Sequence, residues 1–510
     1  MQESRTFYVK RNIFYGTINK LVIVLFPFII KTIILWKLGE EYVGLGSLFT
    51  SILQVFSVAE LGFSSAITFR MYKPIALHDN RKVCALLALY RKVYRIIGAT
   101  IFGIGISLMP FLPYLIKGNC PTDINIYLLY FIYLLNAVIS YLAFAYKACL
   151  FSASQRQDVL SNIDTIITIV RGLIQIVLLV VYKSYYAYII WNPIFVLGYN
   201  LIIAYLSKKY YPQFICAGKL DKEEKQDLVK QIKGLLIGKL STVTRNSFDS
   251  IVLSMFCGLV DVAIYGNYYY VLNAVSYMIS NIVASLSASV GNSIALETAE
   301  KNYEDFKKIN FIFSWIIGWL SICLLCLYQP FMSLWGKMTG RELVAPNITM
   351  LLFCIYFYVE QIGQARVVYS SASGIWWEFR FLQIGEMISN LCLNFILGYF
   401  WGMNGIIIAT IITVLIFSNI GYAGKTIKIS FQREPYEYFK LLVVYLIVTV
   451  ITGGMTIFLC NLIKFQLIAT LILRGLICVL VPNIIFYLFT LCSRTHKKYF
   501  HSIKQLLIRQ

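Results

Sequence analysis

Charge is what this sequence has little of. Only 14% of its 510 residues are charged, with 24 Asp and Glu against 45 Lys and Arg. Histidine numbers 3. His78, His496 and His501 all fall in polar segments expected in the cytoplasm, so imidazole is not the expected coupling group inside a membrane. Polar stretches are equally scarce. The longest, near 208–239, is roughly 30 residues, which excludes a large soluble domain. A cleavable leader is not apparent either. The first apolar run, from about Asn12 to Trp36, is too long for a leader core and has no small-residue cleavage site. The 12 cysteines are scattered. Cys323 and Cys326 have CxxC spacing, but inside an apolar run with no second ligand pair in the sequence, so neither a metal nor a cofactor is expected.

What is present is apolar sequence: 59% hydrophobic residues, with a mean hydropathy of +0.72. It divides into about fourteen pieces, each near the roughly 20 residues that span a bilayer as a helix. They are too long for barrel strands, and lipid admits only helices and closed barrels. The expectation is an all-α polytopic membrane protein with about fourteen spans. They fall near 12–36, 43–69, 93–116, 125–147, 159–182, 186–207, 235–257, 265–294, 309–329, 346–369, 380–400, 404–424, 440–461 and 467–492.

The net charge of +21 would suggest nucleic acid in a soluble chain. Here it reads as topogenic, and no nucleic-acid partner is expected. Basic residues concentrate in alternate connections: Arg70 to Arg95, Lys208 to Lys239, Lys425 to Lys440, and both terminal segments. The intervening connections carry only Lys37, Lys117, Lys183, Lys337, Arg341 and Lys464. Positive loops stay inside, which places both termini in the cytoplasm and favours an even helix count. The stretch from Lys219 to Leu236 has Leu228, Ile232, Leu235 and Leu236 at helical spacing. It reads as an amphipathic helix on the cytoplasmic leaflet, or alternatively as a solvated linker.

The chain also repeats itself. Tyr94–Gly98 (YRIIG) matches Ser314–Gly318 (SWIIG), and Pro110-Phe111 matches Pro330-Phe331 at the same offset of about 220 residues. Leu128–Tyr133 matches Leu351–Tyr356, Ser152–Ser154 matches Ser371–Ser373, and Val43-Gly44 matches Tyr265-Gly266, all at nearly that offset. The reading is six helices, six more in the same order, and two extra. Expected divisions are 1–207 (first lobe), 208–234 (amphipathic linker), 235–428 (second lobe) and 429–510 (last two helices and basic tail). Parallel repeats of this kind are a transporter architecture, with a site expected between the halves and alternating access by rocking.

Ionisable side chains cost about 2.5–3.5 kcal/mol each at a helix centre, so they face a cavity or a partner. Asp164, Thr168, Arg171 and Gln175 form one stripe, as do Thr242, Arg245, Asn246 and Asp249. Lys20 and Lys31 share a face of the first helix, with Pro27 between them. Glu360, Gln361, Gln364 and Arg366 follow in a later helix, and Glu386 with Asn390 in the next. Together they suggest a wet cavity. The alternative is mutual neutralisation, Arg171 with Asp164 and Arg245 with Asp249. For Lys31 and Arg474 the better reading is snorkelling to an interface. Tyr268-Tyr269-Tyr270 reads as packing in preference to a cavity wall.

Several segments resemble the MOP flippase superfamily, specifically its Wzx-type polysaccharide flippases. They are Leu38–Gly44 (LGEEYVG), Ala59–Ala66 (AELGFSSA), Phe248–Val252 with Ala263–Gly266, and Ser289–Asn292 followed by Glu297. The resemblance implies a MATE-like 6+6+2 fold in the cytoplasmic membrane. It implies translocation of undecaprenyl-pyrophosphate-linked oligosaccharide for O-antigen, capsule or exopolysaccharide assembly. Partners would be the lipid-linked substrate, membrane lipids, and the polymerase and glycosyltransferases of the same pathway. In that setting Lys20, Arg171, Arg245 and Arg366 would grip the diphosphate, which suits the planar guanidinium fork. Glu60, Asp249, Glu360 and Glu386 would be coupling candidates, or else make helix–helix hydrogen bonds. The last two helices would form a groove for the polyprenyl tail, with Arg474 beside its phosphate end. Competing readings are a lipid II flippase, a MATE-type cation-coupled exporter, and a membrane glycosyltransferase or polymerase. The enzyme reading is the weakest, because beyond Glu40-Glu41 no external loop offers catalytic candidates; a non-enzyme is expected.

Overall fold

The computed structural model describes the backbone of residues 5–118, 120–463, 465–492, 496, 497 and 500. Side chains are described for these except at 5–10, 12, 13, 58–62, 65, 76, 227–237, 246, 288, 295 and 376. Among the described residues every regular element is helical. The distribution of polarity is the reverse of a water-soluble core. Large apolar side chains such as Leu446, Val450, Ile472, Val479 and Ile484 face outward. Asn267, Asn310, Asn394, Ser247 and Thr452 are wholly buried. Outward Leu and Ile on this scale would aggregate in water and are at rest in lipid.

The chain divides into two compact units, 1–263 and 264–510. In the first, α1 (Arg5–Lys37) packs along α7 (Gln157–Tyr182). A broken pair follows α1: α2 (Glu40–Phe56) and α3 (Val58–Ala76). Next come α4 (Asn80–Leu108), α5 (Ile126–Leu142) with the short α6 (Ala148–Ala153), and α8 (Tyr185–Ile189) leading into α9 (Trp191–Tyr210). The helix α10 (Lys222–Phe256) packs on α2 and α3 within this unit. Gly44 makes one approach possible: a Cβ there would lie 2.1 Å from the Leu259 carbonyl oxygen. Starts are set locally. Asn125 caps α5 through the amides of Tyr127 and Leu128, and Asp79 caps α4 through that of Lys82.

The second unit is built around α12 (Ala299–Thr339), which contacts α13 (Asn347–Gln361), α14 (Gln364–Ser373), α17 (Tyr436–Asn461) and α18 (Leu467–Cys492). The helix α11 (Leu259–Leu296) begins in the first unit and continues into the second. The long α15 (Arg380–Thr413) turns at Gly402, where φ is 55° and ψ is −133°. A Cβ on neighbouring Gly405 would meet the Leu397 carbonyl oxygen at 1.9 Å, so the bend depends on both glycines. A π-helical stretch, Val414–Tyr422, then leads into α16 (Ala423–Phe431).

The chain is an all-helical polytopic membrane protein. By length and composition ten described helices could cross a membrane, or eleven if the bent pair Ile126–Leu142 and Ala145–Ala153 is one span. This count differs from the expected fourteen for physical reasons. The segment 377–431 passes as one although Gly402 breaks its direction, α2 at 17 residues is short, α3 carries Glu60, Arg70 and Lys73 within 19 residues, and α10 opens with a polar half. The repeated prolines also diverge. Pro110 starts a 3-10 segment, whereas Pro330 lies inside α12, which runs on to Thr339.

Candidate functional site

In the first unit the stripe on α7 separates into two environments. Asn19 on α1 donates to Asp164 Oδ2 at 2.9 Å, Thr165 Oγ1 at 3.1 Å and the Ser161 carbonyl at 3.2 Å. Asp164 is thus tied to α1 and forms no ion pair with Arg171. Gln175 is buried and donates to the Tyr188 carbonyl at 3.1 Å and to Asn192 Oδ1 at 2.8 Å. Between them Arg171 is half-buried, with Tyr188 as its electrostatic neighbour. Among the described residues Arg171 has neither an ion pair nor a hydrogen bond. A half-buried guanidinium in an apolar helix, left without an anion of the protein, has donors available for one from outside it.

The other cations of this unit are placed differently. Lys20 is exposed on α1, and Lys31 is half-buried on the same helix. On α10 Arg245 is half-buried, and Asp249 is 2% exposed. Lys20, Lys31, Arg245 and Asp249 all have interactions of their own. The side chains of Glu60 and Asn246 lie outside those described, as do Leu228, Ile232, Leu235 and Leu236 of the expected amphipathic stripe.

The second unit holds a buried polar cluster. Arg366 on α14 is 6% exposed, and Glu386 on α15 is 4% exposed. Arg366 Nη2 donates to Ser418 Oγ at 2.9 Å, and its guanidinium lies 5.4 Å from the centre of the Tyr422 ring. The Tyr422 hydroxyl donates to the Glu386 carboxylate. Glu386 also acts electrostatically on Arg366. One tyrosine therefore links an acid and a cation. Asn419 Nδ2 donates to the Val359 carbonyl at 2.7 Å, and Asn390 Nδ2 donates to Thr410 Oγ1 at 3.3 Å and Thr413 Oγ1 at 3.2 Å. Ser418, Asn419 and Tyr422 belong to the π-helical stretch. Its wider turn is a form that recurs at functional sites. These three residues escape a search for ionisable groups. The available signal was Ser418-Asn419 interrupting an apolar run, with Tyr422 a turn onward.

Glu360 sits just before the break between α13 and α14. It accepts from the Tyr356 hydroxyl at 3.2 Å and from Gln361 Nε2 at 3.3 Å, while Gln361 also donates to Ser276 Oγ at 3.1 Å. Tyr268 is fully packed, donating to Gln329 Oε1 at 2.7 Å and stacking on Phe353. Arg474 on α18 is half-buried beside Cys460 and Cys478. On the outer side of α17 and α18, an open groove of about 460 Å³ is lined wholly by Gly454, Met455, Phe458, Leu459, Val481 and Ile485.

No family model matches the chain, and no curated protein matches it in sequence. Solved structures do match it. The lipid II flippase MurJ in an inward closed conformation aligns with a TM-score of 0.63 at 14% identity, covering 95% of this chain and 98% of that one. A MATE transporter of Vibrio cholerae, VcmN, aligns at 0.56 with 13% identity, covering 83% and 98%. An inward-facing multidrug resistance MATE transporter of the MOP superfamily aligns at 0.54 with 14% identity, covering 79% and 96%. At such identities the likeness is one of fold, and the fold is MATE/MurJ-like.

Proposed function

We propose that this chain is a flippase that carries undecaprenyl-pyrophosphate-linked oligosaccharide across the cytoplasmic membrane by alternating access. The observation that carries the reading is Arg171. It is a guanidinium held at membrane depth with no anion of the protein's own against it among the described residues. A lipid diphosphate supplies what it lacks, and the planar fork can meet one phosphate with two hydrogen bonds. Lys20 and Arg245, in the same unit, are further proposed binding groups, and Arg366 is proposed as one in the second unit. In the second unit the linked Glu386, Tyr422 and Arg366 are suited to coupling. Protonating Glu386 would remove the charge that balances Arg366 and so alter a buried cluster. Asp249, Glu360 and Glu60 are further coupling candidates.

Two observations favour a lipid-linked substrate over a soluble drug. The alignment with MurJ covers 95% of this chain, whereas the two MATE alignments cover 83% and 79%. The groove on α17 and α18 is wholly apolar, as an isoprenoid tail requires. The same alignment makes lipid II the second reading, since only the headgroup differs. Native mass spectrometry of the purified chain with each lipid separates the two. The account expects a retained undecaprenyl-pyrophosphate oligosaccharide, with binding weakened at least about tenfold in Arg171→Ala and partly restored in Arg171→Lys. Equal retention by wild type and Arg171→Ala would remove Arg171 from the site. Preference for lipid II would move the assignment to the second reading.

A further inference from the structure

Four thiols from three helices meet inside the second unit. Cys323 and Cys326 lie about one turn apart on α12, Cys460 lies on the buried face of α17, and Cys478 lies on that of α18. The sulfurs of Cys326, Cys460 and Cys478 are buried and all within 4.8 Å of one another. Cys323 contacts the Cys478 thiol, and its sulfur is 3.9 Å from the Cys478 carbonyl oxygen. All four are free thiols. Apolar side chains, Ile322, Trp319, Ile457 and Phe486 among them, pack around the group. Arg474, one turn before Cys478, places its charge beside Cys460 and Cys478. Its Nε is buried and has no hydrogen-bond partner among the described residues.

A buried cysteine is ordinarily a small apolar residue, and one or two would need no other account. Here sulfurs from three separate helices converge on one point, and a cation with an unsatisfied buried donor stands beside them. In a tetrahedral zinc–thiolate centre the metal–sulfur bonds are about 2.3 Å, which spaces the sulfurs by about 3.8 Å. The three buried sulfurs lie within 4.8 Å of one another, so a modest closure brings them to that spacing. The donor set also selects the ion. Thiolates without carboxylate or imidazole suit Zn²⁺ and Cu⁺ and are poor ligands for Mg²⁺ or Ca²⁺.

We propose that Cys326, Cys460 and Cys478, with Cys323 as fourth donor, bind a thiophilic d¹⁰ metal ion, Zn²⁺ in the first instance, which fastens α17 and α18 to α12. Each sulfur that ligates as thiolate releases its proton to solvent as the metal–sulfur bond forms. With Cys323 donating as the neutral thiol, three thiolates on Zn²⁺ leave one negative charge, and the Arg474 guanidinium balances it. That balance accounts for a cation in a helix that is otherwise apolar. None of the four cysteines is among the proposed substrate-binding or coupling residues, and the test reads metal binding instead of transport.

The test uses the full-length chain purified in detergent under reducing conditions and stripped of metal. Titration with Cd²⁺ should raise an ultraviolet thiolate-to-metal charge-transfer band that saturates at about one ion per chain. Elemental analysis after Zn²⁺ loading should give the same stoichiometry. Cys460→Ser and Cys478→Ser should each weaken binding by at least about tenfold, and Cys392→Ser, at an exposed position, should leave it unchanged. Arg474→Gln should keep the band but need more Cd²⁺ to saturate it. The titration of the unaltered protein decides the matter even if a variant fails to fold. Absence of the thiolate band there overturns the proposal, and so does a band of equal strength in folded Cys478→Ser. A Cys326–Cys460 disulfide in protein isolated without reductant, with no metal bound after reduction, would also overturn it.

Discussion

At the scale of single residues, the two units treat their arginines differently. Arg366 is compensated within the protein, through Ser418, the Tyr422 ring and the nearby charge of Glu386. Removing one member leaves the other charge buried and unpaired, which costs about 3–5 kcal/mol in comparable sites. Arg366→Ala is therefore expected to lower the yield of inserted protein and its melting temperature, and Arg366→Ala with Glu386→Gln should recover much of both. Arg171 has no such partner, so Arg171→Ala is expected to leave the melting temperature near that of the unaltered chain while transport falls at least about tenfold. A melting temperature that drops as far as in Arg366→Ala would give Arg171 a structural role. The sequence made both arginines visible as ionisable groups in apolar runs. It could not tell them apart, because pairing between helices has no local signature. Asp164 shows this best: it lies at helical spacing from Arg171 but bonds to Asn19, far away in the chain.

At the scale of elements, apolar length places some helices closely and misplaces the ends of others: the expected 93–116 is α4 at Asn80–Leu108, and 309–329 is the core of α12 at Ala299–Thr339. The expected spans at 159–182, 440–461 and 467–492 end where α7, α17 and α18 end. What composition cannot show is how helices break. The turn at Gly402 and the π-helical stretch at Val414–Tyr422 leave no mark in apolar length, and the second brings Ser418 and Tyr422 to Arg366. The CxxC pair was legible, but its companions Cys460 and Cys478 were not, since they lie more than a hundred residues away. The groove on α17 and α18 gives an element-scale prediction. Gly454 lines it, and a Cβ added there would meet nothing within 4 Å. Gly454→Leu should therefore fill the groove without strain and raise helix stability by up to about 1 kcal/mol. If the groove holds the polyprenyl tail, transport of long-chain substrate falls while a short-chain analogue moves unchanged. Equal transport of both would show that α17 and α18 only face lipid.

At the scale of the whole molecule, the reading joins a MATE/MurJ-like fold to cations set at membrane depth in each unit. The topology proposed from the basic connections, with both termini inside, has a direct consequence. A single cysteine introduced as Lys337→Cys should react with an impermeant reagent added outside, and one introduced as Lys225→Cys should not, in a background without other reactive thiols. Labelling at Lys225→Cys from outside would invert the assignment. The internal repeat is a sequence reading, and the two glycines it equates meet different neighbours, Gly98 against Leu142 of α5 and Gly318 against Thr449 of α17 and Phe486 of α18. The substrate is where sequence and fold stop, because headgroup chemistry is read by a few side chains only. The central claim is movement of a lipid-linked oligosaccharide, and reconstitution measures it directly. Proteoliposomes are loaded with fluorescent undecaprenyl-pyrophosphate oligosaccharide, and an impermeant quencher is added outside. The account predicts that inner-leaflet lipid becomes accessible with the chain present and stays protected with Arg171→Ala. Protection that is the same with the chain as in empty liposomes, under every imposed ion gradient, would contradict it.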